Sequence, residues 1–428
     1  MGGSMSRRRF LELTGGAAAA WWLSACAGDE TPKGRGRGAD ETGDLILGVG
    51  AWAEEATQQV LDELGFTDQT GIKVRVRVRP GTPEEFLTQM NSAIQSGETP
   101  YDVVDIEDEP WSTMSPAGWL LDLSDVVPED FWDDWPQAMV EHNEVWGRHE
   151  GQLNRIQHNY EANYWWYRAD WFEEEGVDLP TTWEDVAALG EVFTGRDQGV
   201  WASAEGMQGV FMSVYMQYLA RQAGGNPFDA GEEYGTALQY AHDLMYRDKV
   251  FNRAILNWDY EQQNAAYLAD RVAFMRQWPF FWDVARGAKD WFEEGKAQIA
   301  PPPVGPGGPS GSTFATGWGF TIPRTTTRPD GAKELVRFLV DEKNAGEMAK
   351  INTWYLSARL SVLDAVGDEG IAPHLRDYTE AGLISTRPHH DRFFQASEAL
   401  TSVSSAFLSE QISLEEALEQ AATRFETS

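Results

Sequence analysis

The residues best equipped for chemistry are tryptophans set beside carboxylates. Trp52 and Glu54 form one such pair and Glu109 and Trp111 another, while Trp318 stands between Gly317 and Gly319. With 19 Trp and 12% aromatics, indoles are numerous enough to serve a site as well as a core. An indole offers a flat apolar face, and a carboxylate accepts several hydrogen bonds. Together they suit a ligand with ridged C–H faces and many hydroxyls, which is the chemistry of a sugar. Core packing is the competing role for any one tryptophan. The two glycines around Trp318 allow close approach of a ligand there, because they carry no side chain to block it.

Catalytic arrangements are poorly supported. Asp105-Ile106-Glu107-Asp108-Glu109 pairs carboxylates, but in a chain of net charge −34 such a run reads as a solvated face. A glycosidase needs two carboxyls placed across one bond, and spacing along the chain does not establish that. His389-His390-Asp391 lacks a His-x-x-x-His partner, and adjacent histidines point apart, so no metal site is expected. No Gly-x-Ser-x-Gly elbow or phosphate loop occurs. The chain therefore reads as a non-enzyme with no cofactor.

These residues must be carried by regular elements. Residues 44–49 are a short apolar strand, and a helix follows from about Ala53. Residues 72–78 alternate with period two, as a strand with one polar face does. Thr82-Pro83-Glu84-Glu85 opens a helix, with Thr as cap and Pro at the first helical position. Residues 102–106 are another strand. Strand–helix alternation implies a parallel sheet with helices on both faces, and ligands bind beyond the carboxyl ends of such strands. Those ends are Gly50–Glu54 and Glu107–Trp111. Tyr164 to Tyr167 is an aromatic run expected as a buried strand, and Thr181 with Glu184 reads as a capping box for the next helix. Residues 187–300 read as mainly helical, 301–313 as a Pro/Gly linker without a fold element, and 358–428 as helical.

At 428 residues two domains are the default. The acidic surface repels phosphate backbones, which excludes nucleic acid as a partner. The N-terminus carries Ser6-Arg7-Arg8-Arg9-Phe10-Leu11-Glu12, a twin-arginine export pattern, then a short apolar stretch and Leu23-Ser24-Ala25-Cys26. That last tetrad resembles a lipobox, so Cys26, the only cysteine, is the expected lipidation site and membrane anchor. Residues 1–26 are then a signal peptide and 27–43 a flexible tether.

Several segments, in order, resemble the family of extracellular solute-binding proteins that feed sugar ABC transporters. They are Gln69-Thr70-Gly71-Ile72-Lys73-Val74, Gly97 to Val104, Tyr164 to Glu184, Tyr267 to Phe280, Phe314 to Pro323 and Trp354 to Leu363. The resemblance spans residues 44–428. It implies an α/β, two-lobe, periplasmic-binding-protein-like (type II) fold with discontinuous lobes joined by a three-segment hinge. The first lobe is expected at 44–157 and 312–357, the second at 158–304 and 358–428. It also implies that Glu161, before the aromatic strand, reaches the ligand, and that Phe280 stacks on it with Trp278 as a neighbour. Tyr355 in the third crossing and Phe394 near the end are further expected contacts. The implied partners are a carbohydrate ligand, the ABC permease subunits with their cytoplasmic ATPase, and the membrane through Cys26, with the protein a monomer outside the cytoplasm. Two alternatives stay open: a binder of the same fold for a polyol, glycerol phosphate or peptide, and a surface lipoprotein enzyme acting on polysaccharide.

Overall fold

The computed structural model describes residues 43–159 and 162–428. The expectations placed on the twin-arginine segment, on Cys26 and on Glu161 lie outside these residues.

The first sheet grows from an apolar central strand, Leu45–Val49, paired in parallel with Val74–Val78 and Val103–Ile106. Val103–Ile106 is buried throughout, as a strand covered on both faces must be. Val74–Val78 lies at the edge, and its alternating arginines face solvent. The helix Pro83–Ser96 starts as its sequence requires: the Thr82 side chain accepts from Glu85 N, and Pro83 occupies the first turn. Two later strands complete the sheet. Gly319–Thr321 runs antiparallel between Val103–Ile106 and Ile156–Gln157. A Cβ on Gly319 would lie 2.7 Å from Arg155 Cγ and 2.9 Å from the Ile156 carbonyl, so only glycine fits this position.

The second sheet has the order Ala297–Ala300, Tyr164–Arg168, Val272–Gln277, Trp201–Ala204. Its centre is aromatic. Trp165 stacks on Phe274 at 4.8 Å, and Trp166 meets Phe281 edge-on at 5.1 Å. Burying side chains of this size stabilises the lobe by about 1.5–3 kcal/mol each. The second sheet's strands fall in sequence between Ile156–Gln157 and Gly319–Thr321 of the first. The chain thus builds one lobe, crosses to the other and returns, giving a two-lobe α/β fold with discontinuous lobes. A small parallel ladder, Thr313–Ala315 with Ile384–Thr386, joins the return segment to the C-terminal region. Among the described residues no helix is long and apolar enough to cross a membrane.

Five expectations need correction. The helix Trp183–Phe193 is capped by Thr182, not Thr181, and Asp185, not Glu184, closes the box. Thr181 instead donates to the Asp185 carboxylate from outside the helix. The mainly helical stretch carries three strands of the second sheet, whose short apolar runs periodicity alone does not separate from buried helix. Strands also begin at Thr313 and Ile384, inside the expected linker and the expected helical tail. The acidic run is not solvated: Asp105, Asp108 and Glu109 are all buried, each beside a basic side chain. The cap assignment is testable. Thr182→Ala is expected to cost about 1 kcal/mol in chemical denaturation, and Thr181→Ala, which loses one exposed hydroxyl bond, distinctly less.

Candidate ligand site

Three indoles converge beyond the carboxyl end of Leu45–Val49. Trp52 lies 5.2 Å from Trp318 and 6.2 Å from Trp354, and Trp318 lies 5.1 Å from Trp354, all at steep interplanar angles. Edge-to-face packing of this kind contributes roughly 0.5–1.5 kcal/mol per pair beyond area burial. Trp52 remains 53% exposed, the most exposed large hydrophobic residue among those described. The local backbone explains the placement. Trp52 folds back over Gly50, where a Cβ would sit 2.5 Å from its ring. Gly317 packs against the Asn159 carbonyl, and the Trp318 carbonyl accepts from His158 N at 3.1 Å. Asn159 Nδ2 donates to the Trp354 carbonyl at 2.7 Å. One short segment, His158-Asn159, therefore holds two of the three indoles.

Charged groups sit directly behind this cluster. Arg79 is 2% exposed and lies 5.1 Å from the Trp318 ring and 4.9 Å from Phe86. It donates to the Asp105 carbonyl at 3.1 Å and to Glu107 Oε2 at 2.5 Å. Burial pushes the Glu107 carboxyl up to about 7, against the opposite pull of Arg79. His158 stacks on Phe320 at 4.4 Å, and its Nε2 lies 2.9 Å from Asp105 Oδ1. The flat apolar faces can stack on a ring and the partly accessible Glu107 carboxyl can bond hydroxyls, while the buried Arg79 holds that carboxyl in place.

The second lobe carries its own aromatic group at the end of Val272–Gln277. Trp278 Nε1 donates to the Tyr260 hydroxyl at 3.0 Å, and Tyr260 packs on Phe211 at 4.2 Å. The buried Arg276 pairs with Glu205 at 2.5 Å. Phe280, half-buried, follows at the start of the helix Phe281–Ala288.

Of the expected site residues, the structure brings together Trp52 and Trp318, with Glu54 exposed in the adjoining first helical turn. Others are engaged elsewhere. Trp111 is buried against Trp146 at 6.3 Å. Glu109 is held by Arg387 at 2.5 Å. Tyr355 is buried with its hydroxyl 2.6 Å from Thr57 Oγ1. Phe394 is half-buried, while its neighbour Phe393 takes the core contact with Trp146 at 4.7 Å. Trp354 and Arg79 join the cluster without having been singled out, and Glu107, marked only as part of a strand end, joins it too. Arg79 and Glu107 lie just past strand ends, and the strand-end rule marks them; Trp354 is placed only by tertiary contacts. Among the described residues no group of three or more metal-ligating side chains occurs.

The chain belongs to the bacterial extracellular solute-binding protein family, whose model matches residues 50–346. Maltose-bound MalE3 of T. maritima is similar in fold, with a TM-score of 0.75 at 20% identity, covering 90% of this chain and 99% of that one. An ABC transporter solute-binding protein from Agrobacterium radiobacter K84, in complex with ribitol, gives 0.75 at 19% identity, covering 90% and 98%. A probable ABC transporter-binding protein of Deinococcus radiodurans is 24% identical over 252 residues, or 54% of this chain. The match spans 58% of that relative's length.

The raised Glu107 carboxyl has a signed consequence. A group whose proton is held more tightly in the fold stabilises it at low pH, and this contribution fades as pH rises through the folded value. Stability measured by denaturation from pH 4.5 to 7 should therefore fall less steeply with pH in Glu107→Gln than in the parent. Identical slopes would show that Glu107 titrates normally.

Proposed function

We propose that this protein captures a mono- or oligosaccharide between its two lobes, outside the cytoplasmic membrane, and delivers it to an ABC importer. The importer would consist of permease subunits in the membrane and a cytoplasmic ATPase. The observation that carries the reading is the indole cluster of exposed Trp52 with half-buried Trp318 and Trp354, backed by Arg79 and Glu107. Family membership supports it, as do proteins of similar fold that hold maltose, ribitol or D-mannitol. All three are polyhydroxylated, and two are open-chain polyols, so the ligand class extends to sugar alcohols.

The lobes are taken as residues 44–157 with 312–357, and 158–304 with 358–428. Ligand favours the closed arrangement by touching both, and no bond is made or broken. The twin-arginine pattern and the tetrad ending at Cys26 support export in the folded state and attachment through a lipid on that cysteine. Glu161 is kept as a ligand contact on the family pattern.

A thermal-shift panel of sugars, polyols and amino acids on the purified protein tests this reading. A micromolar ligand at millimolar concentration stabilises by about 4 kcal/mol, and the recovered ligand is expected to be unchanged. Trp318→Ala is expected to weaken binding about 10- to 100-fold, the usual cost of removing a central aromatic anchor. A cleaved ligand would move the assignment to an enzyme, and silence across the panel would remove solute capture from this class.

A further inference from the structure

The second lobe contains another built cavity that shares no residue with the indole cluster. It lies along Trp201–Ala204, the last strand of its sheet, and measures about 710 Å3. Cavities of about 300–1,000 Å3 accommodate small ligands. Two half-buried indoles, Trp201 and Trp258, line it together with small apolar side chains.

Its polar lining is unusual for this chain. The sequence has 68 acidic and 34 basic residues, yet not one carboxylate lines this cavity. Arg271 does line it, and among the described residues Arg271 forms no ion pair; its Nη1 donates to the Gln198 carbonyl at 2.8 Å. Asn252 and Gln262 are oriented by their oxygens. Asn252 Oδ1 accepts from Ala254 N at 2.9 Å, and Gln262 Oε1 accepts from Asp259 N at 2.8 Å. Their amide NH2 groups make no hydrogen bond to any described residue. The guanidinium can only donate, and the NH2 groups of Asn252 and Gln262 are free to donate, while the Gln198 amide and the Ser203 hydroxyl can donate or accept.

A cation, fixed donors and flat indoles select a ring with an apolar face and an anionic, acceptor-rich edge. We propose that this cavity is a second binding site, specific for a carboxylate-bearing monosaccharide of the uronic acid class. The sugar ring stacks on an indole, and its carboxylate meets Arg271 and the two amides. This site stands independently of solute capture between the lobes.

Isothermal titration of the purified full chain with sodium D-glucuronate and with D-glucose tests the assignment. Glucuronate is expected to bind at least about tenfold more tightly than glucose, because a charge-assisted bond is gained. Arg271→Met should abolish that preference, and Trp258→Ala should weaken glucuronate binding at least about tenfold. Trp318→Ala should leave it unchanged. Arg271 is exposed, so its variant is expected to fold, and its melting curve checks this. Absence of glucuronate binding, equal affinity for both sugars, or an unaltered preference in Arg271→Met would each overturn the proposal. Loss of glucuronate binding in Trp318→Ala would place the uronate between the lobes and overturn it as well.

Discussion

A single buried carboxylate ties the molecule together. Asp108 is fully buried in the first turn of the helix Asp108–Met114, immediately after the first sheet's third parallel strand. Stripping water from an ionised carboxylate costs several kcal/mol unless partners replace it. Arg155 Nη2 does so at 2.5 Å, Thr316 Oγ1 at 2.7 Å and Arg387 Nη1 at 3.0 Å, with His142 Nε2 at 3.7 Å. Burial alone would raise its pKa, but Arg155, His142 and Arg387 outweigh that and hold the carboxyl well below the usual range. The partners come from four separate stretches: the helix Gln137–Trp146, the approach to the first crossing, the return crossing and the C-terminal region. Each must reach one point for the charge to stay buried, so the carboxylate constrains all four at once.

The same logic accounts for the neighbouring acids. Glu109 is taken by Arg387, Asp105 by His158, and Glu107 by Arg79. In a chain of net charge −34, basic side chains are scarce, and several of them are spent on this one run of carboxylates. That is why the run looked like a solvated face when read as sequence. The partner of Glu109 stands 278 residues away, and no local pattern announces such a pairing.

The fold was more legible than the site. Period-two alternation marked Val74–Val78, and the Thr82-Pro83 pair marked the start of Pro83–Ser96, because both signals are local. The aromatic strand Tyr164–Arg168 was equally plain. Its following helix start was misplaced by one residue, because Thr181 and Thr182 both carry a hydroxyl and only Thr182 has its backbone at the cap. Of the indole cluster, Trp52 and Trp318 were singled out by general rules, the strand-end rule and the flanking glycines, and the fold brings them into contact. Trp111 obeyed the same strand-end rule yet faces the core, since one turn of helix rotates it onto Trp146. Trp354 escaped notice because its neighbour Tyr355 shares its aromatic character, and only the fold decides which ring turns outward.

The hub and the indole cluster are not separate features. Thr316, which binds Asp108, lies two residues before Trp318. Arg155, which also binds Asp108, lies three residues before His158 and four before Asn159, which hold Trp318 and Trp354. Both crossing strands are thus anchored on a buried charge at one point and present an aromatic face a few residues later. Short, hydrogen-bonded spans of this kind leave little slack. The indoles are thus held in place by the protein's own contacts. The edge-on contacts of Trp52 with Trp318 and Trp354, and the tilted contact between those two, reinforce this, since each ring is braced by the other two. Two of the three rings, Trp318 and Trp354, are thus fixed to the crossing segment His158-Asn159, and the third, Trp52, packs on both.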